Sequence, residues 1–170
     1  DRVAALSVGS MTPEGVIIED GHFCAVPLLL AEQAVPIPDA MTFEAAAGIP
    51  TVFATSYFAL RHVARIQPGE RVLIHTATGG VGLSALQIAK WTGAEIFATA
   101  GSPEKREMLV SLGVEGPMDS RSVAFADEIM DRTRGEGVDV ILNTLSGEAV
   151  RRGLEILRPF GRFLQIDKKD

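Results

Sequence analysis

A short apolar run that ends in a glycine-rich turn and passes directly into a helical pattern constrains this chain more than anything else in it. Residues 71–82 read RVLIHTATGGVG. Val72, Leu73 and Ile74 are branched and apolar, which suits a strand buried on both faces of a parallel sheet. Ala77-Thr78-Gly79-Gly80-Val81-Gly82 follow, then Leu83, Ala85, Leu86, Ile88 and Ala89 in a helical pattern that Gly93 stops. Strand, glycine turn and helix together are the setting of a dinucleotide fingerprint. Small residues let the backbone turn tightly and approach a pyrophosphate. The helix N-terminus adds unpaired N–H groups and the positive end of its dipole. Gly79 and Gly82 hold the second and third glycine places, and Ala77 stands at the first. An ordinary tight strand-to-helix turn uses the same residues, so the remainder of the chain has to decide.

That remainder alternates. Thr42 reads as the N-cap of a short helix through Glu44–Ala47, and Pro50 opens a helix carrying Val52, Phe53, Tyr57, Leu60 and Val63. After the glycine turn, Glu95–Ala100 is a strand, Ser102-Pro103 caps a helix stopped by Gly113, and Val114–Asp119 holds a third short strand. Ser122 opens a helix with Phe125, Ile129 and Met130 on one face. Val138–Leu142 is a strand, Ser146 caps a helix with Val150, Leu154 and Leu157 that Pro159 ends, and Gly161–Ile166 is a fifth strand. Strands alternating with helices predict an α/β fold, a doubly wound parallel sheet with right-handed crossovers. Residues 1–43 differ: Val3–Val8, Val16–Ile18 and Phe23–Leu30 are short apolar runs broken by glycine and proline, which reads as β structure with turns. A start inside a β region, and five strands where a dinucleotide domain has six, lead to the expectation of a piece of a larger domain.

Composition removes other classes. A net charge of -6 without a basic block argues against nucleic acid. No apolar run is long enough to span a bilayer. The single cysteine, Cys24, allows neither an internal disulfide nor a cysteine zinc site, and His22, His62 and His75 are too scattered for a metal. A reducing cytoplasm is the expected location. His75 reads as a backbone-bonded residue at a strand end, Cys24 as a small core residue, and Tyr57 and Trp91 as packing residues on helices.

The end of the second strand bears on the cofactor. A carboxylate there would hydrogen-bond a ribose 2′-OH. The chain has Thr99-Ala100-Gly101-Ser102 instead, with Lys105 and Arg106 close behind. Nothing repels a 2′-phosphate, hydroxyl and small groups leave it room, and Lys105 supplies positive charge. NADPH is the expected cofactor. Ser120 and Arg121, after the third strand, are further candidates for the same end. The bland alternative is a pair of solvated cations on a surface helix.

The glycine turn, Gly101-Ser102-Pro103-Glu104-Lys105-Arg106, Asp119-Ser120-Arg121, Leu142-Asn143-Thr144-Leu145-Ser146-Gly147 and Gly161-Arg162-Phe163-Leu164-Gln165-Ile166-Asp167-Lys168 together resemble the enoyl reductase domain of type I polyketide synthases. Fatty acid synthase enoyl reductases look similar, and both belong to the zinc-free, quinone-oxidoreductase-like branch of the medium-chain dehydrogenase/reductase superfamily. The resemblance implies a Rossmann domain over 44–170, lacking its last strand, preceded over 1–43 by the C-terminal part of a GroES-like substrate domain. It implies NADPH-dependent reduction of an α,β-unsaturated thioester held on the phosphopantetheine arm of an acyl carrier protein. Hydride goes to the β-carbon, an enolate develops at the thioester, and the α-carbon takes a proton. Ala77 to Gly82 match the pyrophosphate turn, Lys105 the 2′-phosphate lysine, Thr55 a threonine near the nicotinamide, Asn143 the segment over the cofactor, and Lys168 the lysine proposed as proton donor or as a charge near the enolate. Asp167 replaces the usual glycine before that lysine, and Gln165 a common glutamate. Neighbouring synthase domains are the implied partners, and the incomplete sheet leaves an edge open to self-association, so that a homodimer of this chain need not be one of the parent domain. A stand-alone NADPH quinone oxidoreductase and a non-catalytic dinucleotide-binding module remain as alternatives.

Overall fold

The computed structural model describes residues 2–5, 10–11, 17–18, 32 and 34–166. His22, Cys24, Asp167 and Lys168 lie outside them. The chain divides into two compact units, Asp1–Val52 and Phe53–Asp170.

In the first unit β1 (Val3–Ala5) pairs antiparallel with β4 (Ala34–Pro36), and β2 (Ser10–Met11) with β3 (Ile17–Ile18). The Arg2 guanidinium donates to the carbonyls of Pro38, Asp39 and Met41 and lies 4.6 Å from the Phe43 ring centroid. Thr42 caps α1 (Phe43–Ala47) as expected, its side chain accepting the Ala45 N–H.

The second unit is built on a five-stranded parallel sheet of β5 (Arg71–Ile74), β6 (Glu95–Ala100), β7 (Met118–Asp119), β8 (Val138–Asn143) and β9 (Leu157–Gln165), in the order β7-β6-β5-β8-β9. The register pairs Leu73 with Phe97 and with Ile141, so side chains alternate in common layers across the sheet. Val72, Ile74, Ala98, Ala100, Val140 and Leu142 bury one face against α3 (Gly80–Thr92) and Leu109 of α4 (Pro103–Ser111). Leu73, Phe97 and Ile141 bury the other against Phe125, Ala126 and Ile129 of α5 (Phe125–Arg132). Helices on both faces make the sheet doubly wound, the α/β Rossmann arrangement predicted from the alternating pattern. At the opposite end from the glycine turn, Arg71 pairs with Glu95 and Glu136, and Arg162 clamps Glu70 through both carboxylate oxygens (2.9 and 2.6 Å).

Several local expectations are corrected. The helix opened by Pro50 does not run unbroken to Val63: α2 (Pro50–Tyr57) widens into a π-helix over Phe58–Val63. Tyr57, the last residue before the wider turn, is about half exposed, and the shifted phase after it leaves Leu60 buried and Val63 about half exposed. Trp91 does not pack either and is 71% exposed. Ala85 and Ala89 lie on the buried side of α3, and Trp91 stands outside it with Arg61 over its ring at 5.4 Å. The fourth crossover helix, α6 (Glu148–Glu155), starts after Gly147 at φ 64° without a side-chain cap, so Ser146 is not its N-cap. It ends two residues before Leu157, which already pairs with Val138 in β9. The strand register jumps between the Val138–Leu157 and Val140–Arg162 pairs, and Phe160, at φ 64°, is fully exposed in the intervening bulge. Pro159 has no N–H to give a ladder, and its place in a bulge avoids that loss. Finally, α5 begins at Phe125 rather than at Ser122, whose Oγ accepts the Ala124 N–H in the preceding turn.

Candidate dinucleotide site

The parallel sheet brings the C-terminal ends of β5, β6, β7 and β8 to one edge, and Ala77 to Gly82, Ser102, Ser120, Arg121 and Asn143 lie at or just after those ends. The turn after β5 is tied down from several directions. His75 donates its backbone N–H to the Leu142 carbonyl (3.0 Å), Ala77 donates to the Thr99 carbonyl (2.9 Å), and Gly79 donates back to Thr76 (2.9 Å). Thr76 takes a left-handed φ of 47°, and its hydroxyl meets that of Thr144, in the loop after β8, at 2.7 Å. Gly79 is then the N-cap residue of α3, with no side-chain cap. Gly80, Val81 and Gly82 form the first turn of α3, where backbone amides have no intrahelical acceptor. They form a donor set, with the helix dipole behind it, suited to an anion.

Gly82 is required by packing. A Cβ there would lie 2.5 Å from Ala77 Cα and 2.6 Å from its carbonyl carbon. The third glycine of the fingerprint therefore does its usual work of letting the helix sit on the strand end, and here it sits against Ala77, which is itself fully buried. Gly79 has ordinary φ and ψ, -75° and 166°, and is exposed where a phosphate would approach.

The N-terminus of α3 is also held from α2. The Val81 carbonyl accepts from Ser56 Oγ and Ser84 Oγ, both at 2.9 Å, and the two hydroxyls meet at 2.6 Å. Thr55 precedes Ser56 and is half-buried. Ser56, Ser84, Thr76, Thr99 and Thr144 are not legible as site residues in the sequence, because isolated hydroxyls carry no spacing signal.

At the β6–β7 end, Ser102 caps α4 by accepting the Lys105 N–H (3.4 Å), with Pro103 in the first helical turn. The exposed Glu104 carboxyl is held below its ordinary value, first by its hydrogen bond with Ser102. Gly101 faces Ser120 and Arg121: a Cβ on it would be 3.3 Å from Arg121 Nε and 3.4 Å from Ser120 Oγ. Arg106 is committed elsewhere. Its Nη1 donates to the Ala100 carbonyl (3.1 Å) and lies 3.6 Å from Asp119 Oδ2, so it braces the strand end. Asp119 Oδ1 also accepts the Arg121 N–H (2.8 Å), which turns Arg121 toward Gly101. Lys105 and Arg121 have no carboxylate partner among the described residues.

Asn143 does not present a free amide. It is buried, its Nδ2 donates to the Leu145 carbonyl (2.7 Å) and to Gln165 Oε1 (2.6 Å), and its Oδ1 accepts the Leu145 N–H. It shapes the loop that carries Thr144. His75 differs from expectation too. Its ring is bonded to the Thr99 hydroxyl (Nδ1 to Oγ1, 3.0 Å) rather than to backbone, and burial pushes its pKa down to about 4.

The bare first turn of α3 offers unpaired amides, and at the β6–β7 end Gly101 faces Ser120 and Arg121 while Ser102 caps the helix turn that carries Lys105. No three His, Cys, Asp or Glu side chains come together among the described residues. No described helix is long and apolar enough to cross a membrane.

The family described as zinc-binding dehydrogenase matches residues 80–167. A phenolphthiocerol/phthiocerol polyketide synthase of Mycobacterium tuberculosis is 56% identical over 170 residues, all of this chain and 8% of the synthase. The chain thus spans under a tenth of the length of that relative. The solved nucleotide-binding subdomain of the enoyl reductase domain of PpsC, from M. tuberculosis, is 59% identical, with a TM-score of 0.69 over 71% of this chain and 67% of that one. The CurK enoyl reductase structure is 56% identical, with a TM-score of 0.79 over 81% of this chain and 41% of that one. The chain belongs to the zinc-binding dehydrogenase family and, within it, to the enoyl reductase domains of polyketide synthases.

Proposed function

We propose that this chain forms the NADPH-binding part of an enoyl reductase that saturates the α,β double bond of an enoyl thioester on an acyl carrier protein, within a cytoplasmic polyketide or fatty acid synthase. The observation that supports the reading is one sheet edge carrying both the uncapped N-terminus of α3 at Gly79 to Gly82 and a β6 end without a carboxylate, where Gly101 faces Arg121 and Lys105 follows in α4. A pyrophosphate suits the first and a 2′-phosphate the second. Bound NADPH would supply the hydride. The protein's share is to hold and orient the cofactor, with Ala77–Gly82 on the pyrophosphate and Lys105, Ser102, Ser120 and Arg121 on the 2′-phosphate. Arg106 supports that end through Asp119, and Asn143 through the Thr144 loop. Thr55 lies toward the nicotinamide in this reading, and Lys168 supplies a proton or positive charge near the developing enolate. Residues 1–43 belong to a substrate domain and 44–170 to the cofactor domain. The surrounding synthase provides the carrier protein and neighbouring domains, and a second copy is a further partner.

Calorimetric titration with NADPH and NADH tests the cofactor. The expected result is a clear preference for NADPH that falls about tenfold or more in Lys105→Ala, the loss of one charge-assisted contact. Equal affinity for the two nucleotides in the wild type would refute the 2′-phosphate assignment. NADPH oxidation by an enoyl reductase domain containing this chain, on an enoyl thioester, tests the reaction, and unchanged turnover in Lys168→Ala removes that lysine from it.

A further inference from the structure

We propose that Thr99, with His75 behind it, is a positioning residue that sets the phosphate-facing conformation of the turn between β5 and α3. The inference rests on the dinucleotide reading of the site and adds to it two residues that touch no ligand.

Thr99 belongs to the neighbouring strand, yet it captures two successive amides of the turn. Its carbonyl accepts the Ala77 N–H (2.9 Å), and its hydroxyl accepts the Thr76 N–H (3.3 Å). Between those two bonds Thr76 is held at φ 47°. A β-branched residue rarely enters that region, and a residue so placed persists only where its surroundings over-determine it. The third restraint is the hydroxyl contact from Thr76 to Thr144 at 2.7 Å. If the Thr99 hydroxyl were lost, Thr76 would keep one fewer tether and could relax toward an ordinary backbone region. The amides that follow, from Gly79 to Gly82, would turn with it.

His75 explains how the Thr99 hydroxyl is itself fixed. Its Nδ1 lies 3.0 Å from Thr99 Oγ1. The ring is 1% exposed, meets the Phe125 ring edge-on at a centroid distance of 4.7 Å, and its Nε2 has no hydrogen-bond partner. A buried ring nitrogen without a partner is unfavourable to keep, and an apolar ring would fill the same space. What the imidazole adds is the bond to Thr99. Burial keeps it neutral at physiological pH, so no buried charge accompanies that bond.

The test uses the 170-residue chain and three ligands: NADPH; ADP-ribose, which has the pyrophosphate without a 2′-phosphate; and 2′-AMP, which has only the latter, followed by ligand-observed NMR. In Thr99→Val, which keeps the shape and loses the hydroxyl, NADPH and ADP-ribose should bind about tenfold more weakly, the scale of one lost hydrogen bond transmitted to the turn. Binding of 2′-AMP should be unchanged, and Thr99→Ser should restore the affinities. His75→Phe should weaken ADP-ribose in the same direction. Wild-type affinity for ADP-ribose in Thr99→Val overturns the proposal, as does an equal loss of 2′-AMP, which would mean general loosening. Should Thr99→Val not fold, His75→Phe decides: unchanged ADP-ribose affinity there overturns it. A wild-type chain that binds neither NADPH nor ADP-ribose refutes the dinucleotide reading itself, and this proposal with it.

Discussion

Gly79 and Gly82 look alike in the sequence, but the structure assigns them different work, and alanine substitution separates the two. At Gly82 the new Cβ would meet three backbone atoms of Ala77 at 2.5, 2.6 and 2.7 Å. Ordinary carbon contacts need about 3.4 Å or more, so α3 must move by roughly 1 Å from the strand end, and no flexible side chain can absorb the strain. Overpacking of this kind costs about 3 kcal/mol, the upper part of its usual range. For a chain of this size that lowers Tm by about 10 °C. At Gly79 the backbone is in an extended region that any residue adopts, and the Cβ meets only the Thr76 carbonyl, at 3.4 Å. Gly79→Ala should therefore cost less than about 1 kcal/mol, the scale of an N-cap change, but should place a methyl group where the proposed site would bring a phosphate. Thermal unfolding followed by circular dichroism, with NADPH titration on the same samples, gives both numbers. Gly82→Ala should lose stability. Gly79→Ala should keep its Tm within about 3 °C and lose NADPH affinity by about tenfold or more. A Gly79→Ala protein that binds like wild type refutes the close approach of phosphate to this turn, and a Gly82→Ala protein as stable as wild type refutes the packing argument.

Other predictions follow from single groups. His75 falls from the ordinary 6.5 to about 4 because burial disfavours its charged form. Stability is therefore present above the unfolded value and lost as pH drops from about 6.5 toward 4, a contribution of about 3 kcal/mol. Urea unfolding of wild type and His75→Phe over that range should show the mutant lacking this part of the slope; parallel curves would refute it. The Glu70 carboxyl is held below its ordinary value, chiefly by its hydrogen bonds to Arg162. Its stabilisation is full above the usual carboxylate range and lost as pH falls through the lowered value, so Glu70→Gln should cost about 1 kcal/mol at about pH 7 and nothing once the carboxyl is protonated, as equilibrium unfolding at the two pH values would reveal. Trp91→Ala should cost about 0.5–1 kcal/mol, the worth of an exposed cation–π contact with Arg61, rather than the roughly 3–5 kcal/mol of a buried tryptophan; denaturant midpoints distinguish the two.

The sequence by itself determined the alternation of elements, the glycine turn, the position of Lys105 and the lack of a carboxylate after the second strand. These are local signals, carried by hydrophobic period, by turn residues and by the identity of one strand-terminal position, and β6 falls on the segment read from EIFATA alone. Hydroxyl and charge partnerships were decided only by the tertiary structure, because parallel pairing brings residues 23 to 68 positions apart to one edge. Thr99 reaches Thr76, Thr76 reaches Thr144, and Gly101 faces Arg121 through register, which no spacing along the chain encodes. The same pairing withdrew Arg106 into a contact with Asp119 and turned Asn143 inward, while leaving Lys105 and Arg121 without a described carboxylate partner. Helix phase was likewise out of reach. One widened turn after Tyr57 moved Val63 from an expected buried face to solvent, because a change of pitch shifts every later residue around the axis while leaving the residue pattern unaltered.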